Sequence, residues 1–193
     1  IHMLAEWLKA LTGMAEVAMS PKAGAHGELC GMLAIRAAHE ARGEVRHKVL
    51  VPESAHGTNP ATAAFCGYEV VGIPANEAGR VDLDALKARL GADVAAVMIT
   101  NPNTCGLFER DILEISRLTH EAGAYFYCDG ANFNAIVGRV RPGDLGVELR
   151  GDGDAQLDSH VRSNARFTVS WSSLQLTSNF SRPSASSCAM TSA

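Results

Sequence analysis

The feature that most constrains the fold is an alternation of short apolar runs with amphipathic segments between residues 47 and 130. The predicted strands are HKVLVP (47–52), YEVVGIP (68–74), VAAVMIT (94–100) and AYFYCDG (124–130). The predicted helices between them are NPATAAFCG (59–67), DLDALKARLG (82–91), in which Asp82 is a plausible N-cap, and RDILEISRLTHEAG (110–123). Near-continuous apolar strands that alternate with helices indicate a mostly parallel sheet covered by helices on both faces. The sequence therefore predicts a doubly wound α/β fold.

The segments on either side of this alternation carry weaker signals. Before it, helical spacing predicts a helix over 4–13 and a long helix over 24–44, and EVAMSP (16–21) is a candidate strand. After about residue 148 the alternation ends and Ser and Thr become frequent. We therefore expect an α/β domain over 4–148 and a flexible tail over 149–193, in which ARFTVSWSSLQLT (165–177) could form an edge strand.

Composition argues against several classes of partner. The net charge is −4 with both signs interspersed, which gives no reason to expect nucleic acid or an anionic membrane surface as a partner. No apolar run reaches the roughly 18–20 residues that a membrane span needs. The five cysteines form no CxxC pair, and their spacing matches neither a zinc module nor a disulfide framework. We therefore expect a cytoplasmic protein with no metal ligands.

Four polar or glycine-rich segments are predicted at one edge of the sheet. KAGAHGE (22–28) opens the long helix, and PESAHGTNP (52–60), TNPNTCGLFE (100–109) and CDGAN (128–132) each follow a strand. Ligands of open α/β sheets bind beyond the carboxyl ends of the strands, and free N–H groups at a helix start suit an anion such as phosphate. Each segment alone is more often a turn or a structural histidine, but their common placement predicts a ligand site. Its most constrained member is Asp129, because a carboxylate at the end of a buried strand needs a hydrogen-bonding or positive partner.

Several consecutive blocks resemble the glycine cleavage system P-protein family, glycine dehydrogenase (decarboxylating). These blocks are AGAHGELCGMLAIRAAHEARGE, SAHGTNPATAAFCGYEVV, GRVDLDALKARLG, NPNTCGLFE and YCDGANFNAIVGRVRPGDLG. The likeness runs in order over about residues 4–148 and is to the part of the P-protein that two-subunit bacterial forms carry as subunit 2. It implies an incomplete large domain of a fold-type-I transferase dependent on pyridoxal phosphate (PLP), an oxidoreductase component by family.

The resemblance also implies roles for individual residues. Asp129 would pair with the pyridine nitrogen of PLP, and His56 would stack on the ring. The phosphate would lie on the turn formed by Ala23, Gly24, Ala25, His26 and Gly27, and Ala131 would also contact the cofactor. Asn103 and Thr104 would line the substrate side. In the family, glycine loses CO₂ and its aminomethyl group passes to the lipoyl arm of H-protein, so the implied partners are subunit 1, H-protein and a second copy of the chain.

The sequence departs from the family after PGDLG (142–146). The family continues to an HKT motif whose lysine forms the Schiff base with PLP, whereas the lysines here are Lys9, Lys22, Lys48 and Lys87, all upstream. The expectation is a chain that binds PLP non-covalently at most and has little native activity. It also has an open sheet edge beside AYFYCDG, which residues 165–177 or a second chain could cover.

Two other functions fit the same residues. One is a hydrolase of esters or phosphoesters that uses His26, His56, Asp129 and Cys128, with or without a metal ion. The other is a non-catalytic dimerising module. Metal analysis and a panel of esterase and phosphatase substrates test the hydrolase. Dimerisation without PLP binding would favour the dimerising module.

Overall fold

The computed structural model describes residues 2–147, and their helices and strands follow the predicted alternation. The helices are α1 (His2–Thr12), α2 (Gly24–Ala41), α3 (Thr58–Phe65), α4 (Leu83–Arg89) and α5 (Ile112–Glu121). The strands are β1 (Lys48–Pro52), β2 (Glu69–Ile73), β3 (Val94–Thr100) and β4 (Tyr125–Asp129). Two short 3-10 helices follow, over Phe133–Ala135 and Pro142–Leu145. The side chain of Asp82 accepts hydrogen bonds from the amides of Asp84 and Ala85, so the predicted N-cap of α4 is confirmed.

The four strands form one parallel sheet in the order β2-β1-β3-β4. All seven residues of β3 are buried, as expected for a central strand that is covered on both faces. Within residues 2–147, β2 and β4 are the edge strands, so the outer edge of β4 has no strand beside it there. The predicted cover for this edge, residues 165–177, lies outside the described part of the chain.

Two layers of helices complete the core. On one face, Met32 and Ile35 of α2 and Ala63 of α3 pack with Val49, Met98 and other side chains of the sheet. On the other face, α4 and α5 cover a second cluster. Its main members are Leu50, Leu86, Val97, Ile112, Ile115 and Phe126. The predicted doubly wound fold with helices on both faces is therefore confirmed.

The strand expected over EVAMSP (16–21) is wrong. The segment is irregular and connects α1 to α2 without joining the sheet. Glu16 lies 3.5 Å from Lys9 of α1 in an ion pair, Met19 is exposed, and Pro21 has no amide to donate. With no neighbouring strand to supply hydrogen bonds, its apolar residues do not suffice to form a strand.

No helix in residues 2–147 is long and apolar enough to cross a membrane.

A charged network ties the end of α2 to the amino-terminal edge of the sheet. The buried ring of His39 donates from Nε2 to the carbonyl of Ala95 at 3.0 Å, and its Nδ1 lies 2.9 Å from both Glu44 Oε2 and Arg42 Nη2. Arg46 bonds Glu44 at 2.8 Å and also donates to two backbone carbonyls, those of Val94 and Ala122. The network thereby bonds two carbonyl oxygens of β3, those of Val94 and Ala95, and the carbonyl of Ala122 at the end of α5.

Acid should weaken this network in two stages. Burial lowers the pKa of His39 below its ordinary 6.5. Burial opposes ionisation of Glu44, but its contacts with His39, Arg42 and Arg46 outweigh it and lower the pKa of Glu44 to about 2. Both groups bind protons more weakly in the folded chain than in the unfolded chain. Their contribution to stability is therefore present at neutral pH and is lost as the pH falls.

We expect the free energy of unfolding to decrease as the pH falls below 6.5, and to decrease further between pH 4.5 and about 2. Glu44→Gln should lower stability at pH 7 and flatten the fall between pH 4.5 and about 2. Urea denaturation at a series of pH values, followed by circular dichroism, measures both effects. The exposed Glu77 provides the control, Glu77→Gln, which should keep the wild-type profile. A Glu44→Gln profile as steep as that of the wild type would contradict the assignment.

Candidate functional site

A chain of hydrogen bonds joins the carboxyl ends of β1, β3 and β4. The amide of His56 donates to the hydroxyl of Thr100 at 2.8 Å, and that hydroxyl donates to Asn59 Oδ1 at 2.9 Å. The Nδ2 group of Asn59 donates to Asp129 Oδ2 at 2.9 Å, and the amide of Ala131 donates to the other carboxylate oxygen of Asp129 at 2.9 Å. The structure thus brings together three of the predicted site residues, His56, Asp129 and Ala131.

The carboxylate of Asp129 is nearly inaccessible, with 1% of the residue exposed. It lies at the last position of β4, beside Thr100 at the last position of β3. Its hydrogen-bond donors, a side-chain amide and a backbone amide, are both neutral. No Lys or Arg of residues 2–147 forms an ion pair with it. A buried carboxylate with only neutral partners is suited to binding a positive group.

A second buried carboxylate, Glu28 of α2, lies at the same site. The residue is 3% exposed, and it accepts hydrogen bonds from the hydroxyls of Thr58 at 2.6 Å and Thr62 at 3.1 Å. Because a carboxylate only accepts, the Thr58 hydroxyl is the donor in its bond to Glu28. The hydroxyl oxygen of Thr58 also lies 2.8 Å from Nδ1 of His56. Glu28 therefore helps to hold the imidazole of His56 in place through Thr58.

One oxygen of Glu28, one oxygen of Asp129 and one ring nitrogen of His56 lie within 4.8 Å of one another. The two carboxylates are buried, whereas His56 is exposed, so the cluster has a polar floor and a side open to solvent. Three separate segments of the chain supply these groups, and the sheet brings the segments together.

The predicted anion-binding turn opens α2 next to this cluster. Ala23 is the N-cap residue, with no side-chain cap, and the amides of His26 and Gly27 bond the carbonyl of Ala23 at 3.1 and 3.2 Å. The amides of Gly24 and Ala25 have no acceptor among the described residues. Two free amides at the start of an 18-residue helix form a partly positive surface for an anion.

The phenol of Tyr127 lies buried on the strand that ends at Asp129. Its hydroxyl has no hydrogen-bond partner within residues 2–147. Burial raises the pKa of Tyr127 well above its ordinary value, and the charges of Asp129 and Glu28 raise it further. The ring packs against Gly31 of α2, where a Cβ would lie 2.7 Å from the Cε2 atom of Tyr127.

The two residues expected on the substrate side have structural contacts. The side-chain oxygen of Asn103 accepts from the amides of Cys105 and Leu107, both at 3.0 Å, and its Nδ2 donates to the carbonyl of Gly79 at 3.0 Å. Thr104 is exposed, and its amide and hydroxyl both donate to the carbonyl of Ser54. These bonds shape the loop after β3, and a substrate role for either residue stays a prediction.

The thiol proposed for the hydrolase alternative is poorly suited to attack a substrate. Burial, with a smaller contribution from the charge of Asp129, raises the pKa of Cys128 to about 12. The thiol therefore stays protonated at neutral pH, and a protonated thiol is a weak nucleophile. The rest of that alternative depends on His26, His56 and Asp129 and stays a prediction.

Sequence reasoning missed four members of the site: Glu28, Asn59, Thr100 and Tyr127. Glu28 had a usable signal, because its position places it on the same face of α2 as the buried Met32 and Ile35. An acid on the core face of a helix needs buried partners, which Thr58 and Thr62 supply. The bonds from Thr100 through Asn59 to Asp129 join three different segments, so no local pattern predicts them.

Asn59→Asp tests the hydrogen bond to Asp129 with a change of nearly equal volume. The substitution removes the donor that bonds Asp129 at 2.9 Å and places a second carboxylate beside it. We expect the free energy of unfolding at pH 7 to fall by about 1–3 kcal/mol. The loss should shrink as the pH approaches about 4, where the introduced carboxyl can keep a proton and donate it. Urea denaturation at both pH values measures the effect.

The matched control is Asn134→Asp, at an exposed position. This substitution adds the same charge and should change stability by no more than about 0.5 kcal/mol. Equal losses in the two variants would mean that the bond from Asn59 to Asp129 contributes nothing to folding.

Fold and site together define a class of protein. A parallel sheet in the order β2-β1-β3-β4 with helices on both faces is the fold of fold-type-I PLP-dependent enzymes, and here its carboxyl end carries the buried Asp129 beside His56. Residues 30–138, more than half of the chain, match the aminotransferase class-V family. The chain belongs to this family, whose members depend on PLP.

Curated relatives narrow the likeness. The chain is 75% identical over 146 residues to the probable glycine dehydrogenase (decarboxylating) subunit 2 of Caulobacter vibrioides, a match that covers 75% of this chain and 28% of that protein. It is 63% identical over 168 residues to the protein of the same name from Thermus thermophilus, covering 86% of this chain and 34% of that protein. The chain thus spans about a third of the length of these relatives, and the resemblance seen in the sequence is confirmed.

Solved structures agree with the fold. A glycine decarboxylase (P-protein) of the glycine cleavage system, in inhibitor-bound form, superposes with a TM-score of 0.58 at 26% identity, covering 75% of this chain and 31% of that one. A sphingosine-1-phosphate lyase from Burkholderia pseudomallei superposes with a TM-score of 0.59 at 22% identity over 67% of this chain and 32% of that one. The second likeness is to the fold alone.

Proposed function

We propose that this chain forms the cofactor-ring side of a PLP site like that of glycine dehydrogenase (decarboxylating) subunit 2, and that it binds PLP non-covalently. The observation that carries the proposal is the carboxylate of Asp129, which is buried at the end of β4 and bonded only by neutral donors. Such a carboxylate leaves one negative charge uncompensated, and the protonated nitrogen of a pyridine ring compensates it.

The other described residues fit the same ligand. His56 is exposed beside Asp129, and the bond of its Nδ1 to Thr58 holds the ring in place to cover a flat ligand. The free amides of Gly24 and Ala25, on the turn from Ala23 to Gly27, suit the phosphate. Ala131 contributes by fixing one oxygen of Asp129 through its amide.

The reaction assigned to this site is the one in the names of the relatives, glycine decarboxylation. When bound, PLP supplies an electron sink for the electron pair released as an amino acid loses its carboxylate. The part of Asp129 is to keep the ring nitrogen protonated, and Asn59 and Ala131 hold its carboxylate still for that purpose. We propose that Asn103 and Thr104 line the substrate side. The proposed partners are subunit 1, H-protein and a second copy of this chain.

The lysines explain why binding should be non-covalent. Three of them lie in surface ion pairs. Lys9 pairs with Glu6 and Glu16, Lys48 with Asp93, and Lys87 with Asp84. Lys22 is exposed at the approach to α2. None of the four lies in the cluster of Glu28, His56 and Asp129, so none is placed to bond covalently to a ring held by Asp129.

A PLP titration of the purified chain, followed by absorbance, tests the proposal. We expect saturable binding, no covalent adduct in mass spectra after borohydride treatment, and an affinity at least about tenfold lower in Asp129→Asn. The reason is the loss of a charge-assisted hydrogen bond worth about 1.5–3 kcal/mol. The control is Asp144→Asn, an exposed aspartate paired with Arg141. Absent binding by a folded wild-type chain, or equal affinities in the two variants, would overturn the proposal.

The helix start can be tested with ligands alone. Pyridoxal has the same ring as PLP but no phosphate, so the amides of Gly24 and Ala25 have nothing to bind. We expect pyridoxal to bind at least about tenfold more weakly than PLP, since hydrogen bonds to a charged group contribute about 1.5–3 kcal/mol in all. Competition of each ligand with PLP, read by absorbance, measures the difference. Equal affinities would mean that the phosphate does not lie on α2.

A further inference from the structure

We propose that the cluster of Glu28, His56 and Asp129 is a binding site for a divalent first-row transition-metal ion in the PLP-free chain. One ligand atom of each residue lies within 4.8 Å of the other two. The inference does not rest on the proposed PLP site, because it concerns the chain without cofactor.

The first argument is charge. Glu28 and Asp129 are 3% and 1% exposed, and they place two carboxylates at one buried position. Glu28 accepts hydrogen bonds from the hydroxyls of Thr58 and Thr62. Asp129 accepts them from the side-chain amide of Asn59 and the backbone amide of Ala131. No Lys or Arg in the described range 2–147 pairs with either carboxylate. Two buried carboxylates that lack a counter-ion bind a cation favourably.

The second argument is an unpartnered polar group. The hydroxyl of Tyr127 is buried, and no described residue accepts or donates a hydrogen bond to it. Tyr127 lies two residues before Asp129 on β4, and its ring packs against Gly31, three residues after Glu28 on α2. Tyr127 itself is 5% exposed, so bulk water does not take the place of a partner. A metal ion that carries bound water would supply one, because such water can bond nearby oxygen atoms.

The third argument is the donor set. Two carboxylate oxygens and one imidazole nitrogen suit Mn²⁺, Fe²⁺, Co²⁺ or Zn²⁺ better than Mg²⁺ or Ca²⁺, which prefer oxygen alone. Ligands of a tetrahedral ion with bonds of about 2.1 Å lie roughly 3.4 Å apart, so binding would draw the three groups together by at most about 1.4 Å from separations of up to 4.8 Å. The exposed His56 can make this movement and leaves a path from solvent.

No local spacing in the sequence predicts this site. Its ligands come from the first part of α2, from the loop after β1 and from the end of β4, which are far apart in the chain. Only the parallel order of the strands and the packing of α2 on the sheet place them together.

Cobalt(II) chloride is the probe for this site. The full chain, treated with EDTA and freed of PLP, is titrated with Co²⁺ and followed by its visible absorbance. We expect one saturable site with the stoichiometry of one Co²⁺ per chain. Glu28→Gln and His56→Gln should each weaken binding at least about tenfold, and Zn²⁺ should displace the Co²⁺.

The matched control is the pair of His47 and Glu69, in which His47 Nε2 lies 3.9 Å from Glu69 Oε2 with both side chains exposed. Glu69→Gln removes a carboxylate that lies beside a histidine at the surface, and it should leave the Co²⁺ affinity unchanged. His56→Gln alters an exposed ring, so it tests the site even if Glu28→Gln perturbs folding, which circular dichroism reports. No saturable Co²⁺ binding, or binding lost in Glu69→Gln and kept in His56→Gln, would overturn the inference.

The outcomes for metal and for PLP are independent. A chain that binds Co²⁺ and fails to bind PLP contradicts only the proposed cofactor, and the reverse result contradicts only the metal site. If both bind, they should compete, because Asp129 belongs to both sites.

Discussion

The structure depends on one costly interaction, the burial of the Asp129 carboxylate at the carboxyl end of a parallel sheet. Removing such a group from water is unfavourable unless each oxygen is bonded. Asn59 and Ala131 supply one bond each, and Thr100 and the amide of His56 orient Asn59. The loops after β1, β3 and β4 are thereby fixed relative to one another, which is what a ligand site needs from its scaffold.

The hydrogen-bond donors around Asp129 and Glu28 are all neutral, and in this respect the two carboxylates differ from a carboxylate in a salt bridge. An arginine beside either carboxylate would compensate its charge within the fold and leave nothing for a ligand. The network at the opposite edge of the sheet shows that alternative, since Glu44 there is surrounded by Arg42 and Arg46 and contributes to the fold. The chain thus pairs a carboxylate with arginines at the amino-terminal edge, whereas the carboxylates at the carboxyl edge have only neutral donors.

The sequence predicted the fold well because the evidence for it is local. Each strand is a continuous apolar run, and Asp82 marks the start of α4 by its own side chain. EVAMSP failed because a strand also needs a neighbour, which no local pattern records. The site was predicted in part: Asp129 and His56 follow strands directly, whereas the role of Asn59 depends on residues 41 and 70 positions away. Parallel strands bring distant residues together, so the connections of the site are less predictable than its members.

Gly31 links the packing of the fold to the geometry of the site. A Cβ at this position would lie 2.7 Å from the ring of Tyr127, so glycine lets α2 lie close to β4. That close approach brings Glu28, one turn earlier on the same helix, within reach of Thr58 and Thr62 of α3. A larger residue at 31 would push α2 outward and separate Glu28 from both threonines. It would then also release Thr58 from its bond to the carboxylate and His56 from its support. The packing of the Tyr127 ring against Gly31 therefore positions Glu28, and through Thr58 it also positions the imidazole of His56.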